Sequence, residues 1–462
     1  MVGRDDADAL RRRVRGEVLS RADVGYDEAR RVWNGVIDRR PSAIVRCIAI
    51  DDVVEAVRFA RERGLAIAVR GGGHHVAGTG TVDDGLVIDL GAMRRVRVDP
   101  GARTAVVDGG AALGDVDRAT QAHGLATPLG VVSETGVAGL TLSGGIGWLR
   151  RAHGLSCDNL VAAEVVTADG EVVRASDDER PELLWGLRGG GGNFGVVTSF
   201  TFALHPVGPD VALAFTLYPG ARAAEVLEGC AAALDDLGER VAPLAFLGRV
   251  PADETFPEAI HGEPFVALMA VHPGGAEVGA RALAPLRSIA EPLADLSDTM
   301  PYVDAQSALD EEYPSGRRYY WKSTELAELG GAVEVLERHA AAAPSHLSTV
   351  DVWFQGGAMA AVAPDATAYG DRSAPILIGV EANWEPAADD ERNIAWARAL
   401  VDDLAPYSTG RTYLNFPGFH EDPERQLRST YGPNYERLAA LKAAYDPDNV
   451  FRLNQNVPPA GG

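Results

Sequence analysis

The sequence predicts an α+β protein of two domains, with helices and strands in both. Three observations lead to this prediction. The chain has 462 residues, which is long for a single domain and enough to bury a large core. Its first part alternates short apolar strands with amphipathic helical stretches and carries clusters of glycine. From about Leu204 those clusters stop, and alternating strands with alanine-rich helices mark a second domain.

These changes along the chain suggest where the domains begin and end. We expect a first domain over residues 1–205 and a second over 206–410. A C-terminal segment, 411–462, is rich in tyrosine and asparagine and is expected to return to the first domain.

The first domain begins with a predicted strand–helix–strand unit over residues 43–70. Apolar strands are expected at 44–48 and 66–70, with a helix between them capped by Asp51 or Asp52. Such a unit implies a right-handed crossover. Further strands are predicted at 86–90, 96–99 and 104–109, followed by a helical stretch that ends at His123. Beyond it, strands are predicted at 211–217 and 265–272, and helices at 223–237 and 326–342.

Charge and cysteine content exclude several classes of protein. With 43 basic and 66 acidic residues the net charge is −23, which repels nucleic acid and anionic membranes. No window is apolar and long enough to span a bilayer, and the charged start, Met1 to Asp6, is not followed by the apolar stretch of a secretory signal. Three cysteines are too few for a disulfide framework, so a reducing compartment, the cytoplasm, is expected.

The most informative segment is the glycine turn 69–80, which leaves an apolar strand and presents two histidines. Glycines 71–73 expose backbone N–H groups that can form an anion-binding nest, with Arg70 nearby as a charge partner. An imidazole directly after such a nest, that of His74, can touch the ligand that carries the anion. A metal site is not indicated, because adjacent side chains such as His74 and His75 point apart and no zinc-like ligand spacing accompanies them.

Two further glycine clusters, 130–147 and 186–195, suggest backbone pressed against a ligand at several points. The run 136–148 lets backbone approach a flat ligand closely, although tight helix or strand packing explains small residues equally well. Residues 190–195 match a dinucleotide fingerprint formally. That match is rejected, because the β-branched and aromatic residues 196–202 predict a strand where the fingerprint needs a helix.

Together these segments resemble flavoproteins of the vanillyl-alcohol oxidase and p-cresol methylhydroxylase superfamily, in particular berberine-bridge-enzyme-like FAD-linked oxidases. The segments that carry the resemblance are the His74 turn, 136–148, 155–160, 187–195 and 446–451. The resemblance implies an FAD-binding domain of two subdomains, of the p-cresol methylhydroxylase type. It also implies a substrate domain with an antiparallel sheet, flanked by helices, that covers the isoalloxazine ring.

The resemblance also implies how FAD is held. In that family the histidine after the glycines is bonded to the 8α-methyl group of FAD, and His74 holds that place. Many relatives add a second bond from a cysteine, but Val132 stands at that position, so a single link is expected and Cys157 is interpreted as a small buried residue. Further FAD contacts are implied for Arg70, Gly71, Gly72, Gly73, His75, Gly78, Thr135, Gly136, Gly139, Gly144, Gly145, Asn159, Gly195, Val197 and Asn454.

The sequence offers several candidates for the catalytic base. Phe416 stands where family members often carry an ionisable catalytic residue, and phenylalanine cannot take a proton. Tyr413, Tyr369, Asp371 and Glu381 remain candidates, each of which could equally be an ordinary polar residue of the core or surface. Lys322, which follows the aromatic residues 319–321, is a candidate for the substrate wall and would suit a phenolate or carboxylate.

The resemblance, taken with these residues, implies an FAD-dependent oxidase that removes a hydride from an alcohol, amine or phenolic substrate, aromatic or natural-product-like, and passes the electrons to O₂ to give H₂O₂. The expected partners are a small-molecule substrate and O₂, with no nucleic acid, membrane or metal. Alternatives are a dehydrogenase with another acceptor, a flavin-dependent cyclase or isomerase, an oligosaccharide oxidase and, more remotely, a non-catalytic carrier.

Overall fold

The computed structural model describes residues 4–252, 256–419 and 421–461. Three residues of the charged start, Met1, Val2 and Gly3, therefore lie outside the described ranges. Over the described ranges, no helix is both long and apolar enough to cross a membrane. Nor do these ranges contain a group of three or more His, Cys, Asp or Glu residues that could hold a metal ion.

A four-stranded sheet forms the N-terminal part of the molecule. Its spatial order is β1-β2-β4-β3, in which β2, β4 and β3 run parallel to one another and β1 is antiparallel to β2. The predicted strand–helix–strand unit is present, but β4 lies between its two strands because both pair with it. The strands are β1 (Glu17–Ser20), β2 (Ala43–Arg46), β3 (Ile67–Arg70) and β4 (Leu86–Asp89).

A second, antiparallel sheet has five strands in the order β5-β6-β10-β8-β9. Its strands are β5 (Val96–Asp99), β6 (Thr104–Asp108), β8 (Leu160–Val166), β9 (Val172–Ser176) and β10 (Val196–Ala203). The short strands β7 (Leu125–Ala126) and β11 (His205–Pro206) pair separately. The strand β10 stands where the rejected dinucleotide fingerprint required a helix, as predicted.

The third sheet has eight antiparallel strands in the order β15-β12-β14-β13-β18-β19-β17, with β16 also pairing with β12. This sheet confirms the predicted antiparallel substrate domain. Its strands are β12 (Asp210–Pro219), β13 (Leu244–Arg249), β14 (Pro264–His272), β15 (Ala294–Asp295), β16 (Asp298–Pro301), β17 (Arg318–Leu326), β18 (Thr349–Phe354) and β19 (Ile376–Trp384).

Helices cover the outer faces of the sheets. Three of them, α8, α11 and α12, pack on one face of the eight-stranded sheet, and the opposite face turns toward the N-terminal half. The helices are α1 (Arg4–Arg11), α2 (Tyr26–Ala29), α3 (Ile50–Glu62), α4 (Leu113–Gln121), α5 (Val137–Leu142), α6 (Arg150–His153), α7 (Pro181–Leu187), α8 (Ala223–Leu237), α9 (Ala276–Leu283), α10 (Tyr302–Gln306), α11 (Ala332–Ala341), α12 (Asp390–Asp403), α13 (Pro423–Tyr431) and α14 (Asn434–Tyr445).

Two local predictions were wrong. The helix α3 begins at Ile50, one residue before the predicted cap, and Asp52 instead accepts backbone hydrogen bonds from Arg15 and Ile48. The predicted helix 326–342 is shorter at both ends, because Leu326 pairs with Ile376 as the last residue of β17. The apolar residues at that point belong to a buried strand, and over a few residues the pattern of such a strand can resemble that of a helix.

The end of the chain packs against the N-terminal half. Helix α14 contributes to the core between the five-stranded sheet and α7, whereas Phe451 packs beside α3. The Lys442 ammonium group is fully buried and donates to the Asn193 carbonyl (2.8 Å), the Phe451 carbonyl (2.9 Å) and the Asp446 carboxylate (2.6 Å). The tail is therefore tied to the glycine cluster around Asn193.

Candidate functional site

A cavity runs between the N-terminal half and the inner face of the eight-stranded sheet. It encloses about 1650 Å³ including its open mouth. We call the part lined by the glycine turn after β3 and by residues of β10 the cofactor end, and the part lined by side chains from β13, β17, β18 and β19 the substrate end. Its volume and these two chemically different linings suit a cofactor together with a small substrate.

The cofactor end is built from backbone in close contact. A Cβ atom at Gly72 would lie 2.5 Å from the Gly136 nitrogen, and one at Gly136 would lie 2.4 Å from the Gly72 nitrogen. The two glycine turns can approach this closely only because neither carries a side chain. Gly139 in α5 faces the open space of the cavity, since a Cβ there would meet no described atom within 4 Å outside its own helix. The wall here is bare backbone, so it forms a cradle that a flat or phosphorylated ligand can approach closely.

His74 lines this cavity with a neutral imidazole ring. Burial lowers the pKa of His74 to about 3. Its Nε2 atom is buried and has no hydrogen-bond partner among the described residues. The ring stacks on the indole of Trp33, with ring centroids 4.1 Å apart and planes inclined by 20°. A neutral, unpartnered ring nitrogen beside a cofactor cradle is suited to react with, or to contact, the bound group.

Arg70 also lines the cavity, but its charge is already compensated. Its guanidinium group lies 2.8 Å from the Asp89 carboxylate and donates to the Arg31 carbonyl (3.2 Å). The Arg70 charge thus already has a carboxylate partner, and its predicted role as the charge partner of a phosphate stays a prediction.

Most residues of the predicted cofactor set line the cavity, and four do not. Gly144 and Gly145 have positive φ angles and pack against Tyr369 and Ser156, so they shape the turn behind the cavity. Gly78 packs on Ile37, and the Asn159 amide bonds to two carbonyls and to His205. The members that line it are Arg70, Gly71, Gly72, Gly73, His74, His75, Thr135, Gly136, Gly139, Gly195, Val197 and Asn454.

The C-terminal segment completes the cofactor end. The Asn454 amide nitrogen donates to the carbonyls of Gly192 (3.0 Å) and Phe451 (3.1 Å), whereas its oxygen is buried without a partner in the described structure. Gln455 donates to the Leu414 carbonyl (2.8 Å). An unpartnered amide oxygen in the wall is an acceptor that a ligand N–H or O–H group can satisfy. The site thus fits a hydrogen-bonding cofactor.

The substrate end of the cavity holds two buried carboxyl groups that interact with each other. Glu381 on β19 and Asp351 on β18 both line it. The Tyr313 hydroxyl group donates to Glu381 Oε2 (2.8 Å), and the Thr349 hydroxyl group donates to Asp351 Oδ1 (2.8 Å). Burial raises the pKa of both carboxyl groups, that of Glu381 to about 7. Two buried carboxyl groups in contact share a proton near neutral pH, which is the property of an acid–base pair.

Large apolar side chains surround this pair. Trp321 pairs with Glu381 across β17 and β19, and Phe246 pairs with Asp351 across β13 and β18, so all four side chains lie on the same inner face. Lys322, the next residue on β17, projects to the opposite face, where it lies 3.5 Å from the Glu421 carboxylate. The remaining apolar walls of this end are Leu244, Leu309, Trp353, Leu377 and Phe416.

The predicted catalytic residues are dispersed. Only Tyr413 and Glu381 line the cavity. The Tyr413 hydroxyl group accepts from the Ile146 N–H (3.1 Å) and the Asn415 amide (2.8 Å), and burial raises the pKa of Tyr413 to about 12. Tyr413 therefore stays protonated at neutral pH.

The other three candidates do not belong to the cavity wall. Tyr369 is buried behind Gly144, and Lys322 faces away from the wall as described above. Asp371 forms an ion pair with Arg411. Burial acts against ionisation of Asp371, but bonds from Ser373 and Arg411 outweigh it and lower the pKa. An ion-paired carboxylate outside the cavity is not suited to take a proton from a substrate.

Three residues of the site were missed from the sequence: Asp351, Tyr313 and Trp33. For Asp351 a signal exists, because it is the one acidic residue within the apolar strand 349–354, at an alternate position shared with Trp353. Tyr313 and Trp33 lie outside any strand of the cavity wall. Only their tertiary contacts reveal them.

Fold and site together define an FAD-linked oxidoreductase: a cofactor cradle of backbone groups, covered by a sheet that carries an acid–base pair. Comparisons with known proteins agree. The FAD binding domain family matches residues 41–176, and the family described as berberine and berberine like matches residues 412–458. The chain belongs to the berberine-bridge-enzyme-like family, as the resemblance predicted.

The relatives include several enzymes of known class. (R)-6-hydroxynicotine oxidase of Paenarthrobacter nicotinovorans is 33% identical over 97% of this chain and 98% of its own length. A crystal structure of 6-hydroxy-D-nicotine oxidase from Arthrobacter nicotinovorans superposes with a TM-score of 0.85 at 32% identity, covering 96% and 98% of the two chains. Xylooligosaccharide oxidase from Myceliophthora thermophila shares the fold, with a TM-score of 0.86 at 23% identity over 99% and 100%.

Proposed function

We propose that this protein is an oxidase with FAD attached through His74 alone, which removes a hydride from an aromatic amine or phenolic substrate and passes the electrons to O₂. One observation carries this proposal: the Glu381–Asp351 pair lies in an aromatic cavity that continues to the His74 turn. A proton acceptor, an apolar substrate wall and a cofactor cradle are thus combined in one space.

The state of the His74 ring supports attachment at this residue. A nitrogen can form a bond to carbon only through a free lone pair, and burial keeps the imidazole of His74 neutral. Attachment exchanges one C–H bond of the 8α-methyl group and the N–H bond of His74 for one C–N bond. The two hydrogens leave as two protons and two electrons, which convert O₂ to H₂O₂ when O₂ is the acceptor. Val132 lines the cavity at the place of the second link in relatives, and its side chain cannot form one.

Bound FAD supplies a two-electron acceptor for the substrate hydride, and a histidyl substituent withdraws electrons from the ring and raises its reduction potential. The protein supplies the proton acceptor. Glu381, whose pKa lies near 7, can take the proton from a substrate N–H or O–H group. Loss of that proton leaves electron density on the substrate, which makes the adjacent C–H bond a better hydride donor.

The cavity wall favours a flat, largely apolar substrate. Trp321, Trp353 and Phe246 surround the carboxyl pair, and burying apolar surface against them contributes about 25 cal/mol per Å². The likeness to nicotine oxidases supports an amine on an aromatic ring. A sugar would leave several hydroxyl groups facing these rings without partners, which is unfavourable.

A screen for H₂O₂ release over aromatic amines, phenols, aromatic alcohols and oligosaccharides tests the substrate class. We expect turnover of aromatic amines or phenols and none of oligosaccharides. Turnover of oligosaccharides alone would contradict the substrate assignment. Rapid anaerobic reduction without aerobic turnover would instead indicate a dehydrogenase, cyclase or isomerase.

Acid denaturation tests the attachment. Flavin should stay on the denatured wild-type chain and be released from His74→Ala. His75→Asn is the matched control, since its side chain is adjacent and also lines the cavity, and we expect it to keep its flavin. Flavin remaining on His74→Ala, for instance at Cys157, would show that the single link is misassigned.

A further inference from the structure

Trp33 lies at the point where the N-terminal segment, the His74 turn and the substrate sheet meet. It precedes the region matched by the FAD binding domain family, which begins at residue 41. The side chain is buried, and it is stacked on both faces. One face stacks on the His74 ring, with ring centroids 4.1 Å apart. The other face stacks on the ring of Tyr319 of β17, with ring centroids 3.7 Å apart and planes inclined by 10°.

The backbone around Trp33 joins the same parts of the molecule. The Trp33 N–H group donates to the Gly73 carbonyl (3.1 Å), and the Trp33 carbonyl accepts from Gly316 (2.8 Å). The next residue, Asn34, is fully buried, and its amide donates to the carbonyls of Val76 (2.6 Å) and Tyr319 (2.8 Å). The segment is therefore fixed to both the cofactor turn and the first residues of β17.

The indole N–H group of Trp33 makes a third connection. It donates to the carbonyl oxygen of Tyr313 (2.9 Å), and the hydroxyl group of Tyr313 donates to Glu381 (2.8 Å). The face of the Trp33 ring thus contacts His74. Its N–H edge is hydrogen-bonded to Tyr313, which in turn contacts Glu381.

We propose that Trp33 is a positioning residue that sets both the ring plane of His74 for flavin attachment and the placement of Tyr313 against Glu381. This inference rests on the proposed attachment at His74. The geometry separates the two effects, because the ring face acts on His74 and the indole N–H acts on Tyr313.

Each effect has a physical cause. Stacking leaves the imidazole little freedom to rotate, so its unpartnered Nε2 atom keeps one placement in the wall. The electron-rich face of an indole also attracts positive charge, which develops on an imidazole when one of its nitrogens becomes bonded to carbon. The bond from Tyr313 stabilises the Glu381 carboxylate and so lowers its pKa.

Two substitutions separate these effects. Trp33→Phe keeps an aromatic face beside His74 but removes the N–H group, whereas Trp33→Leu removes both. Trp396→Leu is the matched control: Trp396 is also buried and donates its indole N–H to a backbone carbonyl, that of His339 (3.0 Å), but it lies on the outer face of the eight-stranded sheet. It measures the general effect of losing a buried tryptophan.

The first measurement is the fraction of flavin that stays on the acid-denatured chain, together with total flavin in the native protein. We expect full attachment in the wild type, Trp396→Leu and Trp33→Phe, and less than half in Trp33→Leu, with the remainder bound non-covalently. Full attachment in Trp33→Leu would overturn the role toward His74. Absence of attached flavin in the wild type would instead overturn the proposed function, and with it this role.

The second measurement is the pH profile of turnover, which does not need Trp33→Leu to fold. Trp33→Phe and Tyr313→Phe should both move the acidic limb of the profile to higher pH, by about half a unit or more, because the Glu381 carboxylate loses stabilisation. Trp396→Leu should leave the limb unmoved. A shift in Tyr313→Phe without one in Trp33→Phe would overturn the role toward Tyr313.

Discussion

Tyr313 donates its hydroxyl hydrogen to Glu381 across 2.8 Å, although 68 residues separate them in the chain. The contact links the segment before β17 to β19, at the substrate end of the cavity. Burial raises the pKa of Tyr313, and the neighbouring Glu381 carboxyl group raises it further. Tyr313 therefore stays a hydrogen-bond donor, and the change of charge in this part of the site falls on the carboxyl pair.

The first prediction concerns the pH dependence of turnover. Because Glu381 must be ionised to accept a proton and its pKa is raised to about 7, activity should fall as the pH drops below neutrality. An ordinary glutamate would lose activity only near pH 4. The initial rate at saturating substrate, measured from pH 5 to 9, checks this. Glu381→Gln should lower turnover about 100-fold or more above pH 7, and the difference should shrink toward pH 5, where Glu381 is itself protonated. Near-normal activity in that variant above pH 7 would show that Glu381 is not the acceptor.

The second prediction concerns the pH dependence of stability. Ionisation of Glu381 raises activity but lowers the free energy of unfolding. Glu381 has a higher pKa in the folded than in the unfolded state, so the stability it contributes at low pH is lost as the pH rises through about 7. Glu381→Gln cannot ionise and keeps an oxygen that accepts from Tyr313. It should therefore raise the free energy of unfolding at pH 8 by on the order of 2 kcal/mol, with little change at pH 5. Urea unfolding at both pH values measures this, and equal effects at both would contradict it.

The third prediction tests the glycine cradle with two substitutions of equal size. Gly72→Ala would place a methyl group 2.5 Å from the Gly136 nitrogen, where backbone cannot yield, so we expect loss of most bound flavin. Gly275→Ala, at the exposed start of α9 and outside the cavity, meets no described atom within 4 Å beyond its chain neighbours and should keep flavin in the folded protein. The ratio of flavin to protein absorbance measures both. Normal flavin content in Gly72→Ala would mean that the two turns are not in such close contact.

The fourth prediction concerns the buried ion pair of the tail. Lys442→Met leaves the Asp446 carboxylate buried without its cation, which typically costs about 3–5 kcal/mol. The glycine cluster at Asn193 then loses one of its hydrogen bonds to the tail, so flavin should also be lost at lower urea concentration. Arg437→Met on the same helix is the control, because its partner Glu182 is exposed and such pairs contribute about 0–1 kcal/mol. Equal destabilisation by the two substitutions would contradict the prediction.

Much of the cofactor end could be predicted from the sequence. The glycines and His74 lie within one short turn, so their spacing along the chain already sets their spacing in space. Their functional identity also depends on a residue type, glycine, whose backbone freedom is a local property. The strands of the second domain could be predicted for a similar reason, because alternation of apolar residues is local. Their antiparallel arrangement was implied only by the resemblance to the family.

The substrate end could be predicted only in part. Alternation along β17 separates Trp321 from Lys322, but it does not say which of the two faces the cavity. The pairing of β17 with β19 and the helices on the outer face decide this, and they place Trp321 inside and Lys322 outside. Glu381 was a candidate from its apolar strand, whereas its partnership with Asp351 required two strands to be neighbours.

By itself, then, the sequence determined the family, the cofactor turn and the class of fold, because each of these depends on residues that lie close together in the chain. Only the tertiary structure decided which acids meet, which aromatic residues form the wall and that Trp33 contacts His74. Those relationships join residues that are far apart in the chain, and the pairing of strands and the packing of the two halves bring them together.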